Sequence, residues 1–370
     1  MKTETLLPLG KLDPGLRAPD VPLDVRTIGE AAAQIEALGY DALVVEETKD
    51  DPYQLLAMAA VATTTLGLGT SVAMAFPRSP TVTALSAWTL QKASAGRAIL
   101  GLGSQVRGHI RRRYGMDWSA PGPWMRDYVG AVRAVWRCWQ DRTPLEFESE
   151  HYNLNLMVPL FDPGPIDHPD IPVHIAAINP NMCGVAGEVA DGVRLHPVCS
   201  PRYITEVMAP AVARGAERAG RDADEVDWCM KPLVATAPDE ASLDVVARTV
   251  RERVGFYLST PAYRAAFDVH DWTEEANQAA VLSKAQRWEE ISAIVSDEML
   301  HTIATVGTYD QIGRLLAERY GPHIDRIEFS IPVNTRDDGE QLSAILAELG
   351  SANGLSLSAG DLRTANLRGV

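Results

Sequence analysis

The hexapeptide AILGLG at residues 98–103 is apolar at every position, so neither face of a strand built from it can be left in water. Further predominantly apolar segments read as strands lie at 5–7, 42–46, 66–76, 173–177, 192–195, 226–236 and 327–331. Helical spacing separates them, as in Ile28, Ala32, Ile35 and Leu38 before a stop at Gly39. Two-sided apolar strands alternating with helices predict a parallel sheet covered on both faces. Eight of them predict an α/β chain closed into a (β/α)8 TIM barrel. The competing doubly wound sheet would carry a GxGxxG turn after its first strand; here Gly101-Leu-Gly103-Ser104 follows the fourth and lacks the third glycine. The expected layout is one barrel domain over residues 1–350, with a helical insertion around 255–303 inside a stretch, 238–303, that has no clear strand. A poorly ordered tail is expected at 351–370.

Composition removes several function classes. At 46% hydrophobic and 22% charged residues the 370-residue chain is globular. Its 34 Lys+Arg against 49 Asp+Glu give a net charge of −15, which repels nucleic acid and anionic membranes. No apolar run approaches the roughly 18 residues of a membrane helix, and no signal peptide is legible. Cys138, Cys183, Cys199 and Cys229 show no CxxC spacing and read as reduced core residues. A cytoplasmic protein acting on a small molecule is the expectation.

In such a barrel the chemistry sits at the carboxyl ends of the strands. The run at 173–177 stops at Asn179-Pro180, a helix cap followed by a first-turn proline. The N–H groups of Asn181 and Met182, with the helix dipole behind them, are then available to an anion such as a phosphate; an ordinary capped helix is the alternative. Glu46 and Glu47 are neighbours on a strand and point to opposite faces, so only one can serve the pocket, and Glu47 is taken as that one. His109 follows the fourth strand and His196 ends the sixth, both within reach of the mouth as proton-transfer groups. His151, His168, His270, His301 and His323 fall in loops or helices. No metal-ligand set, facing carboxylate pair or GxSxG motif is present. Anion-holding devices with little acid/base machinery point to a cofactor that does the chemistry.

Four segments in order, YDALVVEET, LGTSVAMAFPRSP, GRAILGLGSQ and IAAINPNMCGVAGEVADG, with VGTYDQIGRLL before the last strand, resemble the luciferase-like monooxygenase superfamily, and within it the oxidoreductases that use the deazaflavin coenzyme F420. The resemblance covers the first strand to about residue 349. It implies a barrel with insertions, cofactor across the strand ends and hydride transfer at the deazaflavin C5, in a homodimer. Residue by residue it implies that Glu47 is an acidic neighbour of the cofactor and that Ser71-Val72 is a bulge with a non-prolyl cis peptide behind the ring. It also implies that Ile178, Asn179, Asn181 and Met182 form the phosphate loop, with Asn179 shaping the turn, that His109 touches the ring, and that His196 meets substrate. Thr48 and Val106 stand where sugar-phosphate-oxidising members carry their catalytic histidine and glutamate, so that reaction is not expected here. Arg107, Arg111, Arg112 and Arg113 are placed to meet the anionic cofactor tail, or form a solvated helix face. FMN is the alternative cofactor, and a flavin-binding barrel without turnover the alternative outside enzymology.

Overall fold

A computed structural model describes residues 1–10 and 22–351; all but the first residue of the expected tail lies outside the described residues. Eight parallel strands form the centre: β1 (Lys2–Leu6), β2 (Ala42–Val45), β3 (Gly67–Thr70), β4 (Ala98–Gly103), β5 (Val173–Ala177), β6 (Gly192–Leu195), β7 (Asp227–Met230) and β8 (Arg326–Glu328). Each pairs with the next in chain order, and β8 returns to β1 with Arg326 beside Lys2 and Glu328 beside Glu4. The sheet therefore closes into a TIM barrel. Its outer surface is sealed by helices whose apolar faces follow the helical period: Ile28, Ala32 and Ile35 of Ile28–Ala37 are fully buried. Trp88 and Trp139, on the helices Pro80–Ala93 and Pro121–Asp141, are among the largest buried side chains.

The barrel interior is less apolar than its strands suggest. Glu4 of β1 has no exposed surface, and it accepts hydrogen bonds from Arg194 of β6 through Nη1 (2.9 Å) and Nη2 (3.4 Å). Arg194 Nη1 also donates to Ser71 Oγ at 3.3 Å. Room for this guanidinium depends on Gly101, where a Cβ would stand 2.0 Å from Thr70 O and 3.3 Å from Arg194 Nε.

Four strands differ from the sequence reading. The strand expected at 66–76 ends at Thr70, turns through a cis Ser71–Val72 peptide and resumes as Ala73–Met74 beside β4. The strand expected at 226–236 breaks at Lys231-Pro232, because proline has no N–H to give the ladder. Leu233–Ala237 then leaves the barrel and pairs in parallel with Ala304–Thr308 as a separate two-stranded sheet. Between those two strands run the helices Glu240–Leu258, Arg264–Asp268, Thr273–Lys284, Trp288–Ile291 and Asp297–Ile303. The eighth strand stops at Glu328, before residue 331, and the first begins earlier, at Lys2. Among the described residues no helix is long and apolar enough to cross a membrane.

Candidate active site

At the carboxyl end of the barrel, β1, β7 and β8 enclose a cavity of about 90 Å³ lined by Thr5, Leu6, Lys231, Arg253, Glu328 and Ser330, among others. The charges at its edge come from strand ends far apart in sequence. Lys231 Nζ donates to Glu46 Oε1 at 3.0 Å and lies 3.1 Å from Glu328 Oε1. Burial alone would lower the Lys231 pKa, but the two carboxylates outweigh it and hold the ammonium protonated. Burial pushes the Glu328 carboxyl above its usual range, Lys231 pulling against that and Glu46 adding to it.

The two adjacent glutamates do diverge, but in the opposite sense to the expectation. Glu46, not Glu47, meets Lys231 at the mouth. Glu47 Oε2 accepts from the Met74 N–H (2.7 Å) and from Arg78 Nη1 (2.5 Å), while Arg78 Nη2 binds Asp51. β2 has already ended at Val45, so the Glu47 side chain turns back to fasten the segment after Ser71–Val72. Its carboxylate is held by an ion pair and a backbone amide.

His196 sits just past β6, stacked on Tyr263 with centroids 4.0 Å apart and edge-on to Tyr257 at 4.8 Å. Both tyrosines lie in the segment between Leu233–Ala237 and Ala304–Thr308, so the histidine is one of the points where that segment touches the mouth. Burial, with Arg253 nearby, pushes its pKa down to about 3, so it is neutral at ordinary pH. Its Nδ1 accepts from the Val198 N–H (3.4 Å), which assigns the ring proton to Nε2. It is therefore a hydrogen-bond donor. His109 stands exposed on the short helix Arg107–Arg112 after β4, with Arg111 and Arg112 exposed beside it. The structure sets His109 and His196 on walls separated by β5.

After β5, Asn179 caps the helix Pro180–Val189 through a bond from the Met182 N–H to its Oδ1 (3.0 Å). Met182 thus departs from the expectation, because its amide is already engaged by the cap. Asn181 retains a first-turn N–H with no acceptor one turn back. The Ile178 carbonyl is taken by Tyr203 Oη at 2.8 Å. Beside Asn179, Asn181 and Met182 opens a cavity of about 530 Å³ with Arg126, Arg214 and Arg218 on its wall. Arg126 and Arg218 are paired with Glu188, whereas Arg214 is exposed. A first-turn amide with guanidinium groups around it suits a phosphate and further carboxylates.

Sequence reasoning did not find Lys231, Glu46, Glu328 or the Glu4–Arg194 pair as site residues. Signals existed: the Lys-Pro break directly after an apolar run, and a glutamate at position 328 inside the segment read as the eighth strand. Their partners lie 185 and 190 residues away, beyond any local pattern.

Comparison with known proteins adds to this geometry. The family model for luciferase-like monooxygenases matches residues 7–326. An uncharacterised protein of Mycobacterium tuberculosis is 40% identical over 328 residues, 89% of this chain and 96% of its own length. A 5,10-methylenetetrahydromethanopterin reductase of Methanolobus tindarius is 26% identical, covering 85% of this chain and 93% of that one. The solved coenzyme F420 dependent tetrahydromethanopterin reductase from Methanopyrus kandleri superimposes with a TM-score of 0.71 at 21% identity, covering 94% and 97% of the two chains.

Proposed function

Because the chain belongs to the luciferase-like monooxygenase family and is an oxidoreductase, we propose that it uses coenzyme F420 to pass a hydride between the deazaflavin C5 and a small organic substrate. The observation that carries this reading is the presence, at one end of one barrel, of an anion-ready helix start after β5 and a cavity between β1, β7 and β8 with Lys231, Arg253 and Glu328 on its wall. When bound, the deazaflavin supplies the hydride acceptor or donor that no side chain here can replace. The Asn181 N–H and Arg214 would hold its phosphate and anionic tail, with Asn179 keeping the turn in shape. Ser71 and Val72 would back the ring from the β3 side, braced by Arg194 and by Glu47. His196 would present Nε2–H toward the mouth as a fixed, uncharged donor. A homodimer is supported by the exposed Met58, Val61, Val82 and Leu85 on the adjoining helices Pro52–Ala62 and Pro80–Ala93.

The test is a fluorescence titration of the purified protein with F420 and with FMN. F420 is expected to bind, with FMN weaker by about tenfold or more. Asn181→Pro removes one amide hydrogen while remaining compatible with the first helical turn, and is expected to weaken F420 by about five- to tenfold without altering the circular dichroism. Failure of F420 to bind, or tighter binding of FMN, defeats the cofactor assignment; an unchanged affinity in Asn181→Pro defeats the phosphate site.

A further inference from the structure

We propose that Ser119, His151 and Asp127 act as nucleophile, base and orienting carboxylate in a second activity, the hydrolysis of uncharged carboxylic esters with an apolar acyl group, in a cavity apart from the two described above. The proposal uses no cofactor, so it stands or falls separately from the hydride-transfer reading.

Three elements bring these side chains together. Ser119 lies two residues before the helix Pro121–Asp141, Asp127 on that helix, and His151 in the turn of a hairpin made by Phe147–Glu148 and Asn153–Leu154. Ser119 Oγ stands 2.9 Å from His151 Nε2, and His151 Nδ1 stands 2.7 Å from Asp127 Oδ2. A carboxylate only accepts, so the ring proton is assigned to Nδ1, and Nε2 is left to accept from the serine hydroxyl. This chain of contacts is what makes a serine hydroxyl nucleophilic. Neighbouring rings hold the imidazole plane. Trp124 stacks on His151 with centroids 5.8 Å apart, and is itself stacked on Phe76 at 3.8 Å and bonded through Nε1 to Tyr152 Oη at 2.7 Å.

Placement distinguishes this from a mere fastening of the hairpin. The His151 N–H already donates to Asp127 Oδ2 at 3.3 Å, which ties hairpin to helix without the ring. Ser119 and His151 line a cavity of about 480 Å³, whereas Asp127 does not. Nucleophile and base thus face the space, and the carboxylate stands behind them. None of the residues lining it borders the cavity between β1, β7 and β8 or the one after β5. Phe76, Met116, Trp118 and Trp124 give it apolar walls, a size and lining that suit a small organic ligand. Arg78 on its wall is already paired with Glu47 and Asp51, so an anionic acyl group gains no free cation there. The backbone supplies donors for a developing oxyanion. The N–H groups of Ser119 and Ala120 meet no acceptor among the described residues, and the positive end of a 21-residue helix follows them in the chain.

In the first half of the reaction the Ser119 Oγ–H bond breaks with its proton passing to His151 Nε2, Oγ bonds to the ester carbonyl carbon, and the carbonyl electron pair moves onto oxygen. When that pair returns, the bond from carbon to the alkoxy oxygen breaks and the leaving oxygen takes the proton from Nε2. Water then repeats the exchange. Its proton passes to Nε2, its oxygen bonds to the acyl carbon, the bond to Oγ breaks, and Oγ recovers the proton as the carboxylic acid leaves.

A fluorophosphonate, which reacts with activated serines, and p-nitrophenyl butyrate test this on the full-length protein. Mass spectrometry of the intact chain and of its peptides is expected to show one phosphonyl group, on Ser119, and nitrophenolate release is expected to exceed the rate in buffer. Ser119→Ala, which removes one half-buried hydroxyl, should lose both the adduct and the release with circular dichroism unchanged. Asp127→Asn keeps the size of the side chain but favours the wrong ring tautomer, and should slow labelling of Ser119 by about 10²-fold or more, again with circular dichroism unchanged. No adduct or an adduct on another residue, release undiminished in Ser119→Ala, or a labelling rate unchanged in Asp127→Asn would each overturn the proposal.

Discussion

Glu4 and Arg194 form an ion pair with no exposed carboxylate surface and almost no exposed guanidinium, inside a barrel whose strands read as apolar. Such a pair need not add net stability, because desolvation of two charges consumes much of the Coulombic gain, but removing one member strands the other. Glu4→Leu is expected to cost about 3–5 kcal/mol by urea denaturation, and the double change Glu4→Leu with Arg194→Met to recover most of it. A double variant as unstable as the single one would show that the pair's geometry, rather than its charge balance, holds this layer together. At this scale the sequence is a poor guide. The reading of Glu46 and Glu47 as pointing apart follows from strand geometry alone, whereas which of the two meets the pocket is decided by Lys231 and Arg78, residues that no local pattern ties to them. His196 lies at the mouth as its place after the sixth strand suggests. Its neutrality comes from burial and Arg253, and its stacking partners are two tyrosines from a distant insertion.

Elements were more legible where one physical constraint dominated. The uninterrupted apolar run of β4 has to be buried on both sides and is, and the caps at Asp51 and Asn179 begin helices as their side-chain chemistry requires. Boundaries shifted where a single residue overrode the run, as Pro232 does after β7. Glu36 provides a test of how elements are fastened. From the helix Ile28–Ala37 its Oε1 accepts from the N–H groups of Thr64, Thr65 and Leu66 at 2.9, 2.6 and 2.9 Å, tying the turn before β3 to the preceding layer. Slight burial opposes ionisation, but these bonds outweigh it and lower the pKa from 4.5 to about 2. The folded-state pKa is the depressed one, so the stabilisation is complete above about pH 4.5 and is lost as the pH falls toward 2. Because the site is largely exposed, the contribution is about 1 kcal/mol or less. Acid titration of stability should show this loss in the wild type and its absence in Glu36→Gln; equal slopes for the two would remove the fastening role.

On the scale of the whole molecule, a net charge of −15 has to coexist with the binding of an anionic cofactor. The resemblance directed attention to Arg107 and Arg111 to Arg113, but the guanidinium groups that border the cavity at the start of Pro180–Val189 are Arg126, Arg214 and Arg218, and Glu188 occupies two of them. Arg214→Gln is accordingly expected to weaken F420 by about fivefold at low ionic strength, with the difference shrinking at high salt as screening sets in. A salt-independent difference would point to packing, and no difference would move the tail elsewhere. The strands Leu233–Ala237 and Ala304–Thr308 carry a consequence of another kind. They bracket a long helical excursion with five consecutive parallel residue pairs outside the barrel, so the chain leaves at Ala237 and returns at Ala304, beside Leu233, about 13 Å back along the ladder. Such a segment is an exchangeable cassette: a different excursion grafted between the same two strands would alter what reaches the mouth through positions such as Tyr257 and Tyr263, while the eight-stranded frame keeps its register.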